Sequence, residues 1–180
     1  LWEYINNLAE TYHLGIHTHI CETTQEVTQC IQRYHKPPIE LLASYGIFHH
    51  RTAAVHGIFV SENEIEILKD TPSVVVHDPC SNLKCGCGFG NLKTFYENNI
   101  PIALGTDGVC SNNTGDLFDT MKFTALIQKM LNQDPSCFPA KDIIKMATIN
   151  GLLSQGRTNS GILKEGFDAD IIAIDLTHPG

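Results

Sequence analysis

Four short runs constrain this chain more than any other feature: LGIHTHI (14–20), TAAVHGIFV (52–60, strand-like at its start), SVVVHDP (73–79) and IPIALGTD (100–107). They are nearly wholly apolar over four to six residues. That is the pattern of strands buried on both faces of a parallel sheet rather than of half-exposed hairpins. Helical stretches fall between and around them: 1–12, 24–34, 38–45 after Pro37 and Pro38, the segment capped by Ser61 with Glu64 at the capping-box position, 91–99, 115–132 and 139–153. DADIIAIDL (168–176) reads as a final β-run. Strands alternating with helices give an α/β fold, either doubly wound or part of a barrel, and four strand–helix units are half of an eight-stranded barrel.

In parallel α/β folds chemistry gathers at the carboxyl ends of the strands. The first run ends at His19, with Glu22 three residues on; the second ends at His56, the third at His77 followed by Asp78, the fourth at Asp107. Each has a structural reading. A single His in an apolar run is more often a satisfied core residue than a ligand, Asp107 can cap the following helix, and Glu22 can favour a helix N-terminus. Those readings do not explain why the polar residues share one end. A carboxylate at the end of a buried strand is costly without a compensating cation or hydrogen bonds. Imidazole and carboxylate suit one divalent metal ion, zinc first, with iron or manganese as alternatives. The loop PCSNLKCGCGFG offers Cys80, Cys85 and Cys87 as a competing metal site. Its spacings match no ribbon or finger, so packing of small residues in a Gly-rich loop is the favoured reading.

Composition excludes several partner classes. The 180 residues suit one domain with a core, and 42 % hydrophobic against 18 % charged residues reads as globular. The net charge is −8 with Lys and Arg scattered, which argues against nucleic acid and anionic membrane. No apolar run approaches the ~20 residues of a bilayer span. Seven cysteines, an odd number without framework spacing, make a reducing cytoplasm the simplest location. The first residue is Leu, so the start of the natural chain is expected upstream.

The motifs THICET, AAVHGIFVSENEIEIL, VVHDPCSNLKCGCG, IALGTDGVCSNN and GILKEGFDADIIAIDL occur in that order. Together they resemble the amidohydrolase superfamily, in the branch of 5-methylthioadenosine/S-adenosylhomocysteine deaminases, guanine deaminase and triazine hydrolases. The resemblance covers about residues 10–176 and implies a (β/α)₈ barrel beside a small β-sandwich. On it, residues 1–155 form a partial metal-dependent hydrolase barrel, about strands five to eight, and 156–180 begin the returning sandwich segment. It further implies one catalytic divalent metal, usually zinc. His19 matches the fifth-strand ligand and Asp107 the eighth-strand ligand. Glu22 matches the acid that protonates a substrate ring nitrogen, His56 the residue that orients the hydrolytic water, and Ser111 a substrate-side position after the last strand. Asp107 also takes the water's proton and returns it to departing ammonia. The family usually has His-Asn-Pro where this chain has His77-Asp78-Pro79. Asp78 is read as structural, accepting a backbone hydrogen bond in a turn, and His77 as a substrate-side residue on the pocket rim.

The implied first-strand His-x-His pair is not found upstream. HTH (17–19) has the letters, but the family register makes His19 the fifth-strand ligand and puts His17 deeper on the same strand. The chain therefore reads as the second half of a barrel, which alone is expected to bind zinc weakly and turn nothing over, and to associate with a copy of itself or with a missing N-terminal half. The expected function is metal-dependent hydrolytic deamination of a small molecule. Adenosine-type thioether nucleosides come first, guanine second and a chlorinated triazine third. Two further readings stay open: a barrel fragment that packs without chemistry, and a redox or structural-metal protein built on the Cys loop.

Overall fold

The computed structural model describes residues 1–175 and 177. Four strands, β1 (Ile16–Ile20), β2 (Thr52–His56), β3 (Ser73–His77) and β4 (Ile102–Leu104), form one sheet in the order β1-β2-β3-β4. Every neighbouring pair is parallel, with Ile16 opposite Thr52, Thr52 opposite Ser73 and Val75 opposite Ile102. All four strand C-termini therefore lie at one end of the sheet. The helices are α1 (Trp2–Tyr12), α2 (Thr24–Tyr34), α3 (Pro38–Ala43), α4 (Glu62–Lys69), α5 (Pro79–Cys85), α6 (Leu92–Glu97), α7 (Val109–Asn112), α8 (Leu117–Asn132), α9 (Ala140–Ala147) and α10 (Ile149–Ser154).

Strand alternation separates two apolar layers. Ala54, Val75, Ile102 and Leu104 face the helices and pack with Phe48, Leu68, Leu92 and Phe95 in the main core. Ala53, Val55, Val74, Val76 and Ala103 face the other way and meet Leu153 of α10. Both faces of β2 and β3 are buried along their whole length, as their unbroken apolar sequences require. By register His17 lies beside Ala53 and His19 beside Val55, so both histidines stand on the second face.

Local chemistry fixes the helix ends. Ser61 and Glu64 make the expected reciprocal capping box at α4. Glu64 is buried, and its Oε1 also accepts the Ile39 N–H at 2.8 Å, which ties α4 to α3. Buried Gln128 of α8 accepts from Leu92 N and donates to Gly90 O, anchoring the start of α6.

Three expectations are corrected. The Cys-containing stretch is a helix, α5, with Pro79 in its first turn and left-handed Gly86 at its end. Segment 139–153 is two helices, broken at Thr148 (φ −123°, ψ −89°), where Asn150 turns to donate to Ile102 O of β4 at 2.8 Å. The β-run expected at 168–176 forms no strand over 168–175, and Leu176 lies outside the described residues. A strand needs a neighbour for its backbone groups, and none lies beside this one among the described residues. Instead Arg157 gathers Ser160, Asp168 and Asp170 around its guanidinium.

Candidate active site

The turns that leave the strands carry the site, and three of them are strained. Cys21 after β1, His56 at the end of β2 and Asp107 after β4 have φ of 55°, 74° and 55°. Left-handed backbone in a non-glycine residue costs on the order of 1–3 kcal/mol and persists where the surroundings over-determine it. At His56 the strain breaks the strand alternation. Register puts this residue opposite Ile20, a core residue, yet its ring stacks on His19, 5.2 Å between centroids at 25°. At Cys21 the turn is held by Glu26, whose two oxygens accept the N–H groups of Cys21 (2.9 Å) and Glu22 (2.8 Å). Glu26 stands three residues after the N-cap Thr23, which accepts its N–H. Thr-x-x-Glu is the capping-box spacing already read at Ser61, so this residue had a sequence signal.

Around His56 the structure brings together most of the expected residues. Its Nε2 lies 3.8 Å from Glu22 Oε2. Its Nδ1 is 2.8 Å from Asn82 Oδ1 and 3.9 Å from Asp78 Oδ2. Asp107 Oδ2 accepts from Ser81 Oγ at 2.5 Å and from Ser111 Oγ at 2.9 Å, while Oδ1 accepts from Gly108 N at 2.7 Å. The Ser81 hydroxyl is the main reason the Asp107 carboxyl is held below the usual carboxylate range, with the Gly108 N–H and Ser111 adding to it. Asp107 is thus a firmly ionised carboxylate with both oxygens engaged. Ser81 and Asn82 were not among the expected site residues, because they lie on the helix read as a loop.

Two expected roles are corrected. His77 is not on a rim: its ring is 1 % exposed and, among the described residues, neither nitrogen has a hydrogen-bond partner. Burial, with His56 nearby, lowers its pKa to about 3, so it is a neutral imidazole. Among the described residues Asp78 accepts no backbone hydrogen bond through its side chain. It sits at the N-cap position of α5 without capping it, and its Oδ1 is buried without a partner. Burial first, then Asp107 and Glu22, push its carboxyl up to about 7.

His19 and Asp107 are both exposed, and both are donors of the kind zinc takes. Among the described residues no three His, Cys, Asp or Glu side chains converge closely enough to hold a metal ion. The donors fit in kind but are only part of a ligand set. The thiols do not supply another one: all seven cysteines are free, Cys85 is exposed, and Cys87 donates to Glu22 Oε1 at 3.4 Å. Burial first and then Glu22 raise the Cys87 thiol to about 11, which keeps it protonated.

A parallel sheet flanked by helices, with His, Glu and Asp gathered on strained turns at its carboxyl end, defines a segment of a (β/α)₈ barrel with a polar site at the mouth. The chain belongs to the amidohydrolase family, whose model matches residues 3–179. It is 41 % identical over 177 residues to a 5-methylthioadenosine/S-adenosylhomocysteine deaminase of Dictyoglomus turgidum, covering 98 % of this chain and 42 % of that protein. It is 38 % identical over 172 residues to a 5′-deoxyadenosine deaminase of Methanosphaera stadtmanae, covering 96 % and 40 %. The crystal structure of an adenosine deaminase from Xanthomonas campestris with bound zinc superposes with a TM-score of 0.90 at 31 % identity, covering 94 % of this chain and 39 % of that one. The chain thus spans about two fifths of the length of the relatives it matches. Among the described residues no helix is long and apolar enough to cross a membrane.

Proposed function

We propose that the protein carrying this chain hydrolytically deaminates an adenosine-type nucleoside, with 5-methylthioadenosine or S-adenosylhomocysteine as first choice. The observation that carries this reading is the run of contacts that links three strand ends: Glu22 faces His56, His56 pairs with Asn82, and the adjacent Ser81 of the same helix donates to Asp107. The names of the relatives support the substrate class.

His19 and Asp107 are the residues of this chain that would hold a divalent ion, completed by donors from outside it. When bound, zinc or a similar ion would lower the pKa of water toward ~7. The remaining work falls to the side chains. His56 presents Nε2 toward Glu22 and orients the attacking water. The water oxygen bonds to the ring carbon bearing the amino group, and Asp107 takes the proton released. Glu22 protonates the adjacent ring nitrogen, so charge does not build up there. As the C–N bond breaks, the Asp107 proton leaves with ammonia, and the proton of the new hydroxyl restores Glu22 while the carbonyl forms.

The test is ammonia release by the complete protein from 5-methylthioadenosine, S-adenosylhomocysteine, 5′-deoxyadenosine, adenosine and guanine. Release is expected from the thioether nucleosides, and Glu22→Gln or Asp107→Asn should lower it by about 10²- to 10⁴-fold. Turnover of guanine alone, or an Asp107→Asn variant as fast as wild type, would overturn the assignment.

A further inference from the structure

We infer that Asn82 selects the tautomer of His56, so that the first turn of α5 is a positioning element for the two groups that handle water. This rests on the reading of His56 as the residue that orients that water.

Asn82 is 1 % exposed, and its Oδ1 lies 2.8 Å from His56 Nδ1. The second oxygen on that side of the ring is Asp78 Oδ2, at 3.9 Å. Asp78 is beyond hydrogen-bond distance, so the one group within reach of Nδ1 is an amide oxygen, which can only accept, and this puts the imidazole proton on Nδ1, donated to Asn82. Nε2 is then bare and faces Glu22. With the opposite tautomer, Nε2–H would point at Glu22 and could no longer accept from a water. The Asn82 backbone is held in place, while its Nδ2 is buried without a hydrogen-bond partner among the described residues. Asn82 N donates to Asp78 O at 3.0 Å, its own carbonyl accepts from Cys87 N at 2.9 Å, and Pro79 fixes the backbone at the start of the turn. The preceding residue, Ser81, donates to Asp107. Adjacent residues of one helical turn therefore set the protonation pattern of His56 and the orientation of Asp107. Stacking on His19 keeps the His56 ring from rotating away.

The tautomer can be read without any turnover. The complete protein is labelled with ¹⁵N-histidine and its long-range ¹H–¹⁵N imidazole spectrum is recorded at about pH 8.5, where ordinary imidazoles are neutral; the His56 signals are assigned by their loss in His56→Gln. The wild type should carry its proton on Nδ1. Asn82→Leu should move it to Nε2 or to a mixture and lower kcat for deamination about 10- to 100-fold, with KM little changed. Asn82→Asp, which keeps an acceptor at the same place, should retain the Nδ1–H signature and most of kcat. A wild-type proton on Nε2, or an Asn82→Leu variant that keeps Nδ1–H, overturns the inference. The wild-type spectrum decides even if Asn82→Leu does not fold. A correct tautomer in a protein that releases no ammonia from any nucleoside would instead overturn the proposed function and leave the positioning role standing.

Discussion

Gly105 is the position where the fold and the buried carboxyl of Asp78 meet most closely. A methyl group built there would run into Asp78 Oδ1 and lie 3.3 Å from Asp78 Cγ and 3.0 Å from Val76 Cγ1. Asp78 is 2 % exposed and hangs from a short side chain beside Pro79, so it cannot swing into solvent to make room. The glycine is not there for its backbone, since Gly105 is absent from the positive-φ glycines. Alanine on its own would gain about 0.4–1 kcal/mol by narrowing the unfolded ensemble. Overpacking a closed site costs about 1–3 kcal/mol. Gly105→Ala should therefore lose about 1–2 kcal/mol net, read as a lower midpoint in urea at unchanged slope. In an Asp78→Ala background the carboxyl is gone and only Val76 Cγ1 has to give by a few tenths of an ångström, so the same substitution should be close to neutral, within about 0.5 kcal/mol. The double-mutant cycle thus has a coupling of about 1–2 kcal/mol. An equal loss in both backgrounds would refute the reasoning and place the clash elsewhere.

Two further outcomes follow from buried carboxyl groups. Because the Asp78 carboxyl is raised to about 7, the folded state keeps a proton that the unfolded chain releases between about pH 4 and pH 7. Its contribution to stability therefore falls as pH rises through that window. Asp78→Asn should flatten the urea midpoint against pH and be relatively more stable than wild type above about pH 7; an unchanged slope would contradict the assignment. Glu64→Ala should cost about 2–4 kcal/mol and speed amide exchange at Ile39, because it orphans the Ile39 and Ser61 N–H groups between α3 and α4. Exchange at Ile39 as slow as in wild type would show that another acceptor had replaced it.

The parallel sheet was legible because β2 and β3 have no polar face: Ala53 to Val55 and Val74 to Val76 cannot belong to a strand with one side in water. His19, His56 and Asp107 were legible as a group because parallel topology sends every strand's last residue to the same end. What the pattern could not carry was contact chemistry. The turn of α5 had a signature, Pro at its start and Gly at its end, but six intervening residues without a clear periodicity read as loop. With the helix went Ser81 and Asn82, the partners of Asp107 and His56. The break at Thr148 has no Pro behind it; it is imposed by Asn150 reaching Ile102 and by Leu153 packing on the sheet, both tertiary facts. The direction of the His56 ring was likewise hidden, since alternation sends it into the core and only the left-handed turn brings it out.

Helix α5 does more than hold the site. Lys84, near its end, donates to the Cys110 carbonyl at 2.6 Å and also to Asn113 Oδ1, while Ser81 grips Asp107 from the same helix. The segments that follow β3 and β4 are thereby riveted at both ends into one plate. A plate cannot serve as a door. Any movement at this mouth is expected on its other side. There the turn after β1 rests on the single carboxylate of Glu26, and Gly57, Ile58 and Phe59 hang from the backbone carbonyls of Ile20 and Cys21.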